Sequence, residues 1–135
     1  MIVDTSALLA YFDSAEPQHS AVAAVIDAAD EPLVVSPYIV AELDYLVLTR
    51  HGSRVERIVL DELASGAWEL AAMPRDRLTT ALAVVDRYAD VPVGIADASN
   101  IVLADAYQTT VIATLDRRHF GVLRLGDGSA PTIVP

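Results

Sequence analysis

The 135-residue chain contains no cysteine, which excludes disulfides, thiolate nucleophiles and cysteine metal sites. It contains no lysine either, so all 9 of its basic residues are arginine. That removes a Walker-type ATP site and Schiff-base chemistry, both of which need the amine. It also removes a phosphotransfer receiver domain, which gathers acids at strand ends but pairs a lysine with its phosphoryl group. No uncharged apolar run reaches the roughly 18 residues that span a bilayer. The first apolar run meets Asp4 at once and has no basic residue before it. It makes a poor signal peptide, and a cytoplasmic protein away from the membrane is expected.

Positive charge is scarce. With 19 Asp and Glu against 9 Arg the net charge is −10, which argues against a general nucleic-acid coat. The distribution matters more than the sum. Every arginine lies at Arg50 or beyond, so the front of the chain is purely acidic. Such a front suits cations or a basic partner, while the later arginines suit phosphate or an ordinary salt-bridged surface.

What is present is a regular alternation of short apolar strands with helices. Met1-Ile2-Val3 reads as a buried strand ending at Asp4, with Thr5 or Ser6, or Asp4 itself, capping a helix through Phe12. Glu16-Pro17 opens a second helix carrying Val22, Val25, Ile26 and Ala29 at helical spacing, and His19 near its start reads as solvated. Leu33-Val34-Val35 is a strand, and Ser36-Pro37 starts a helix that runs to Arg50-His51 with Gly52 behind it. That helix is apolar nearly all round, the pattern of one covered by a partner chain on its second face. A helix over Ser53–Ser65, a half-exposed strand Trp68-Glu69-Leu70, and a helix over Asp76–Ala89 follow. Asp97 stands in the first turn of a helix reaching about Tyr107, where the helix dipole favours an acid. Val111–Thr114 and Thr132–Val134 are strands on either side of a Gly-rich loop, Leu125–Ser129. The order predicts an α/β fold with a central, mainly parallel sheet flanked by helices, a single domain over residues 1–135.

Two acids end strands, Asp4 and Asp116. Two more lie on helices beside apolar stripes: Asp97, and either Glu42 or Asp44, which periodicity does not separate. In a parallel sheet strand ends and helix starts share one edge, where ligands bind. Three or four carboxylates meeting there repel unless a cation holds them, and hard oxygen ligands suit Mg²⁺ or Mn²⁺. Such a cluster steadies in-line attack on a phosphodiester. An aspartyl phosphatase fits less well, because Ser6 stands where its second acid belongs.

The spelling of these segments resembles the PIN-domain ribonucleases, in particular the VapC toxins of bacterial toxin–antitoxin pairs. It is carried by Ile2-Val3-Asp4-Thr5-Ser6-Ala7-Leu8, Val40-Ala41-Glu42-Leu43, Ile95-Ala96-Asp97-Ala98 and Thr114-Leu115-Asp116-Arg117-Arg118-His119-Phe120, in that order over the whole chain. The resemblance implies a PIN-like three-layer α/β/α fold and assigns catalysis and metal binding to Asp4, Glu42, Asp97 and Asp116, choosing Glu42 over Asp44. It implies supporting hydroxyls at Ser6 and Thr114, Mg²⁺- or Mn²⁺-dependent endoribonuclease activity on structured RNA such as tRNA or rRNA, a homodimer, and a VapB-type antitoxin. Ser99-Asn100 departs from the aliphatic pattern expected after the third acid, so Asn100 reads as an outer-shell or RNA contact, or as a surface amide.

Arg117 and Arg118 beside the fourth acid are the candidates for phosphate contact. His119 reads as a cap or stacking residue with no nucleophile to pair with. Cleavage through the RNA's own 2′-hydroxyl usually needs an acid–base pair, often histidines, and the three histidines here lie in unrelated segments. Metal-activated water is therefore the expected nucleophile, leaving 5′-phosphate and 3′-hydroxyl ends. An antitoxin is expected to bring an apolar helix to the Pro37–Arg50 helix and a basic side chain to the acids. The competing readings are a non-catalytic PIN-like binding module and a housekeeping RNA-processing nuclease without an antitoxin.

Overall fold

The computed structural model describes residues 1–135. The chain opens with β1 (Ile2–Val3), α1 (Thr5–Phe12), α2 (His19–Asp27), β2 (Val34–Val35), α3 (Pro37–His51) and α4 (Ser53–Leu63). It continues through β3 (Glu69–Leu70), α5 (Arg75–Arg87), α6 (Ile95–Ala106), β4 (Val111–Ala113), α7 (Arg117–Phe120) and β5 (Thr132–Val134). The five strands form one sheet in the order β3-β2-β1-β4-β5, and every pairing is parallel. Ile2 stands opposite both Val34 and Ile112.

Successive strand residues point to opposite faces, and here both faces are buried. Val3, Val35 and Ala113 enter a core with Leu8, Val22, Ile39, Leu43 and Val59, from α1 to α4. Ile2, Val34 and Ile112 enter the other core, with Ala81 of α5, Ile101 and Leu103 of α6, and Phe120. Two apolar sides on each inner strand demand helices above and below. The result is the α/β/α sandwich expected from the alternation.

Of the caps left open for α1 the chain uses Asp4 itself, whose side chain accepts from the Ser6 amide. Three local expectations need correction. Helix α2 starts at His19 instead of Glu16-Pro17, and His19 is half-buried, its Nδ1 lying 2.9 Å from the Ala10 carbonyl. Trp68 is buried, leaving Glu69 and Leu70 as an exposed two-residue edge strand. The segment Arg117–Phe120 is a short helix that no apolar periodicity announces.

The topology positions the site. Chain order reverses across the β1–β4 pair, since β1 leads to β2 on one side while β4 leads to β5 on the other. The crevice beyond the carboxyl ends of such a pair is where open α/β sheets bind ligands. Asp4 follows β1 directly, and Asp116 lies three residues beyond the end of β4.

Candidate active site

Asp4 is 5% exposed and is held by four neutral donors. Its Oδ2 accepts from Ser6 Oγ at 2.7 Å, Thr114 Oγ1 at 2.8 Å and the Ser6 amide at 3.4 Å. Its Oδ1 accepts from Asn100 Nδ2 at 3.2 Å. The orientation of this carboxylate is therefore fixed from α1, α6 and the end of β4 at once, while its charge is left uncompensated by any cation of the protein.

Thr114 ties two acids together. Besides bonding Asp4, its hydroxyl accepts the Asp116 amide at 3.0 Å and lies 3.1 Å from Ser6 Oγ. Ser6 Oγ in turn accepts the Leu115 amide at 2.9 Å. Both residues predicted as supporting hydroxyls thus contact the acids and the turn that carries them.

The other acids arrive from three helices. Glu42 of α3 accepts a short hydrogen bond from Thr5 Oγ1, whereas Asp44 faces Glu56 of α4. Asp97, third residue of α6, reaches back so that its Oδ2 accepts the Gly94 amide at 3.3 Å. Burial pushes its carboxyl above the usual range; the Gly94 N–H and His119 oppose this, while the charges of Asp4 and Asp116 add to it. Asp116 caps α7, its Oδ1 accepting the Arg118 and His119 amides, each at 3.0 Å.

Asp4, Glu42, Asp97 and Asp116 line a single cavity of about 380 Å³. No three of its acid and imidazole side chains are drawn close enough together, as they stand, to ligate one ion. The donor set nonetheless fits a hard divalent cation, being four carboxylates on one wall-to-wall cavity with oxygen as the only anionic ligand type.

One residue in the cavity escaped the sequence reading. His119 lines it, with Nδ1 3.1 Å from Asp116 Oδ2 and 3.3 Å from Asp97 Oδ2. Its spacing of three from Asp116, one helical turn, was the signal available. Two assignments change in the other direction. Asn100 is fully buried against Asp4, so it is neither an RNA contact nor a surface amide, and the outer-shell reading is what its position allows. Arg117 and Arg118 are exposed outside the cavity, and the Arg117 guanidinium is engaged by the Pro135 carbonyl.

A parallel α/β sandwich with four acids at its switch point defines a class. Residues 1–124 match the PIN domain model, and the chain belongs to the PIN-domain family. Within it, the chain is 58% identical over 135 residues to ribonuclease VapC26 of Mycobacterium tuberculosis (strain ATCC 25618 / H37Rv), covering 100% of both chains. Two solved structures share the fold at 16% identity. The sarcin–ricin loop cleaving toxin VapC20 of M. tuberculosis superposes with a TM-score of 0.80 over 87% of this chain and 91% of that one. FitAcB from Neisseria gonorrhoeae does so with a TM-score of 0.63 over 99% and 96%.

Proposed function

We propose that this protein is a Mg²⁺- or Mn²⁺-dependent endoribonuclease, the toxin of a type II toxin–antitoxin pair, with residues 1–135 acting as one PIN domain in the cytoplasm. The observation that carries the reading is the gathering of Asp4, Glu42, Asp97 and Asp116, from four distant segments, around one cavity. Identity of 58% over the whole chain with a relative named a ribonuclease supports the reaction class. Structured RNA, tRNA or rRNA, is the substrate class, a reading supported by the sarcin–ricin loop named for VapC20.

The four acids would hold the cation, and a divalent ion there would supply activation of an attacking water and stabilisation of the charge on the scissile phosphate. Asp4 is the fixed point, because four donors leave it no rotational freedom. Thr5 aims Glu42 and the Gly94 amide aims Asp97. No two histidines share a site: His19 lies against the Ala10 carbonyl, His51 is 3.9 Å from Asp13, and His119 lies between two acids. A pair of histidines for attack by the 2′-hydroxyl is thus missing, which favours hydrolysis by water. Arg118, exposed beside the acids, remains the better of the two arginines for phosphate contact.

Two apolar surfaces suit the two expected partners. A groove between α1, α3 and α4, about 230 Å³ and lined by Leu9, Phe12, Val47, Val55 and Val59, suits an apolar antitoxin helix. Leu9 also lines the acidic cavity, so a helix seated in the groove can extend a basic side chain directly onto the carboxylates. On α5, Leu78 and Leu82 stand exposed one turn apart, a stripe suited to a second copy in a homodimer.

The test is cleavage of total RNA by wild type and Asp4→Asn with Mg²⁺, with Mn²⁺ and with EDTA. Wild type should cut only with metal, leaving 5′-phosphate and 3′-hydroxyl ends, and the variant should lose at least about 100-fold in rate. Equal behaviour of the two proteins would favour a binding module. Cutting by a protein that no antitoxin binds would favour a housekeeping nuclease.

A further inference from the structure

We infer that His119 is a positioning residue that occupies the cation's place between Asp97 and Asp116, and that the ring withdraws when the metal binds. The inference rests on the metal-dependent reading above and concerns how the site is loaded. Asp116 has two oxygens, and Oδ1 is committed to the Arg118 and His119 amides at the start of α7. Those two N–H groups fill both lone-pair directions of that oxygen. Oδ2 is the atom left to face a ligand, and His119 Nδ1 lies 3.1 Å from it.

The same nitrogen lies 3.3 Å from Asp97 Oδ2, an oxygen that also accepts the Gly94 amide. A Mg²⁺ ion sits only about 2.1 Å from its oxygens. An ion ligated by both Oδ2 atoms would therefore compete with Nδ1 for the lone pairs that those oxygens turn toward it. His119 is partly open to solvent, its side chain 20% exposed, so the ring borders solvent while the next residue, Phe120, is buried.

The experiment is calorimetric titration of the metal-free protein with Mn²⁺, comparing wild type with His119→Ala and His119→Asn. Alanine removes the occupant, whereas asparagine keeps an amide nitrogen near the Nδ1 position. His119→Ala should bind Mn²⁺ roughly tenfold more tightly, the scale of one displaced polar contact to a charged group, and His119→Asn should stay near wild type. His119→Ser, equally too short to reach the oxygens, replaces the alanine variant if circular dichroism shows that the latter is unfolded. Weaker or unchanged binding by the short variants would overturn the inference, making His119 a ligand or a bystander. Absence of Mn²⁺ binding to the wild type would instead overturn the metal-dependent reading on which it rests.

Discussion

Thr114 has a side chain of three heavy atoms and serves three contacts. It donates to Asp4, accepts from the Asp116 amide and touches Ser6, all while fully buried. Thr114→Val keeps the shape and removes the hydroxyl, leaving the Asp116 amide and one lone pair of Asp4 unsatisfied. Such losses cost about 1–3 kcal/mol, so urea denaturation should show a drop of that size, and Thr114→Ser should recover most of it. At this scale the sequence was informative where chemistry is local. A strand followed directly by an acid marks Asp4, and Asp116 follows its strand nearly as closely. The role of Asn100 was left open, and that of His119 was missed, because each makes a contact with a residue far along the chain. Asn100 meets Asp4 across 96 positions. His119 meets Asp97 only because α6 and α7 start at the same edge of the sheet.

Helices differ in how much of their surroundings they disclose. The start of α3 was legible from Ser36-Pro37, and Ser36 does cap it, accepting the Tyr38 amide at 3.2 Å. Its end was legible from Gly52, whose φ of +80° suits glycine. Helix α6 was legible in extent, with Asp97 in its first turn and an end near Tyr107, but its burial was not, because Ala98 to Ala104 are buried without interruption and no exposed face gives a period. Its polar Ser99 is satisfied inside the fold, bonding Ser36 at 2.7 Å and so tying α6 to the start of α3.

Between α3 and α4 the same logic exposes a cost. Partial burial, together with the hydrogen bond and negative charge of Asp44, raises the Glu56 carboxyl above its usual value, with Arg57 opposing. A raised carboxyl in the folded state means that its charged form is less welcome there than in the unfolded chain. The penalty is present above the folded-state value and absent below the unfolded one. Glu56→Gln should therefore raise the thermal midpoint at pH 7–8. The gain should shrink as pH falls through the carboxylate range and vanish near pH 4, read by melting curves at fixed ionic strength. A constant difference at all pH values would place the effect in packing instead.

Across the whole molecule, the sandwich leaves its acidic cavity and its apolar groove side by side, and this adjacency sets how a partner can act. The cavity alone attracts any cation, and the groove alone attracts any apolar helix. Only a chain that presents both satisfies the two surfaces in register, with Leu9 as the shared wall. The sequence disclosed the two-sided apolar character of α3 but not the groove's other walls. Leu9 and Phe12 belong to α1, and Val55 and Val59 to α4, and their meeting is a property of packing. Val55 is 38% exposed, so replacing it by glutamate should scarcely alter folding or the acids. It would place a charge in the apolar part of the groove and remove about 1.5 kcal/mol or more of burial on binding. The Val55→Glu protein should cleave RNA at the wild-type rate while losing antitoxin affinity by at least about tenfold, measured by titrating cleavage against purified antitoxin. Inhibition at the wild-type antitoxin concentration would show that the partner reaches the acids by another route.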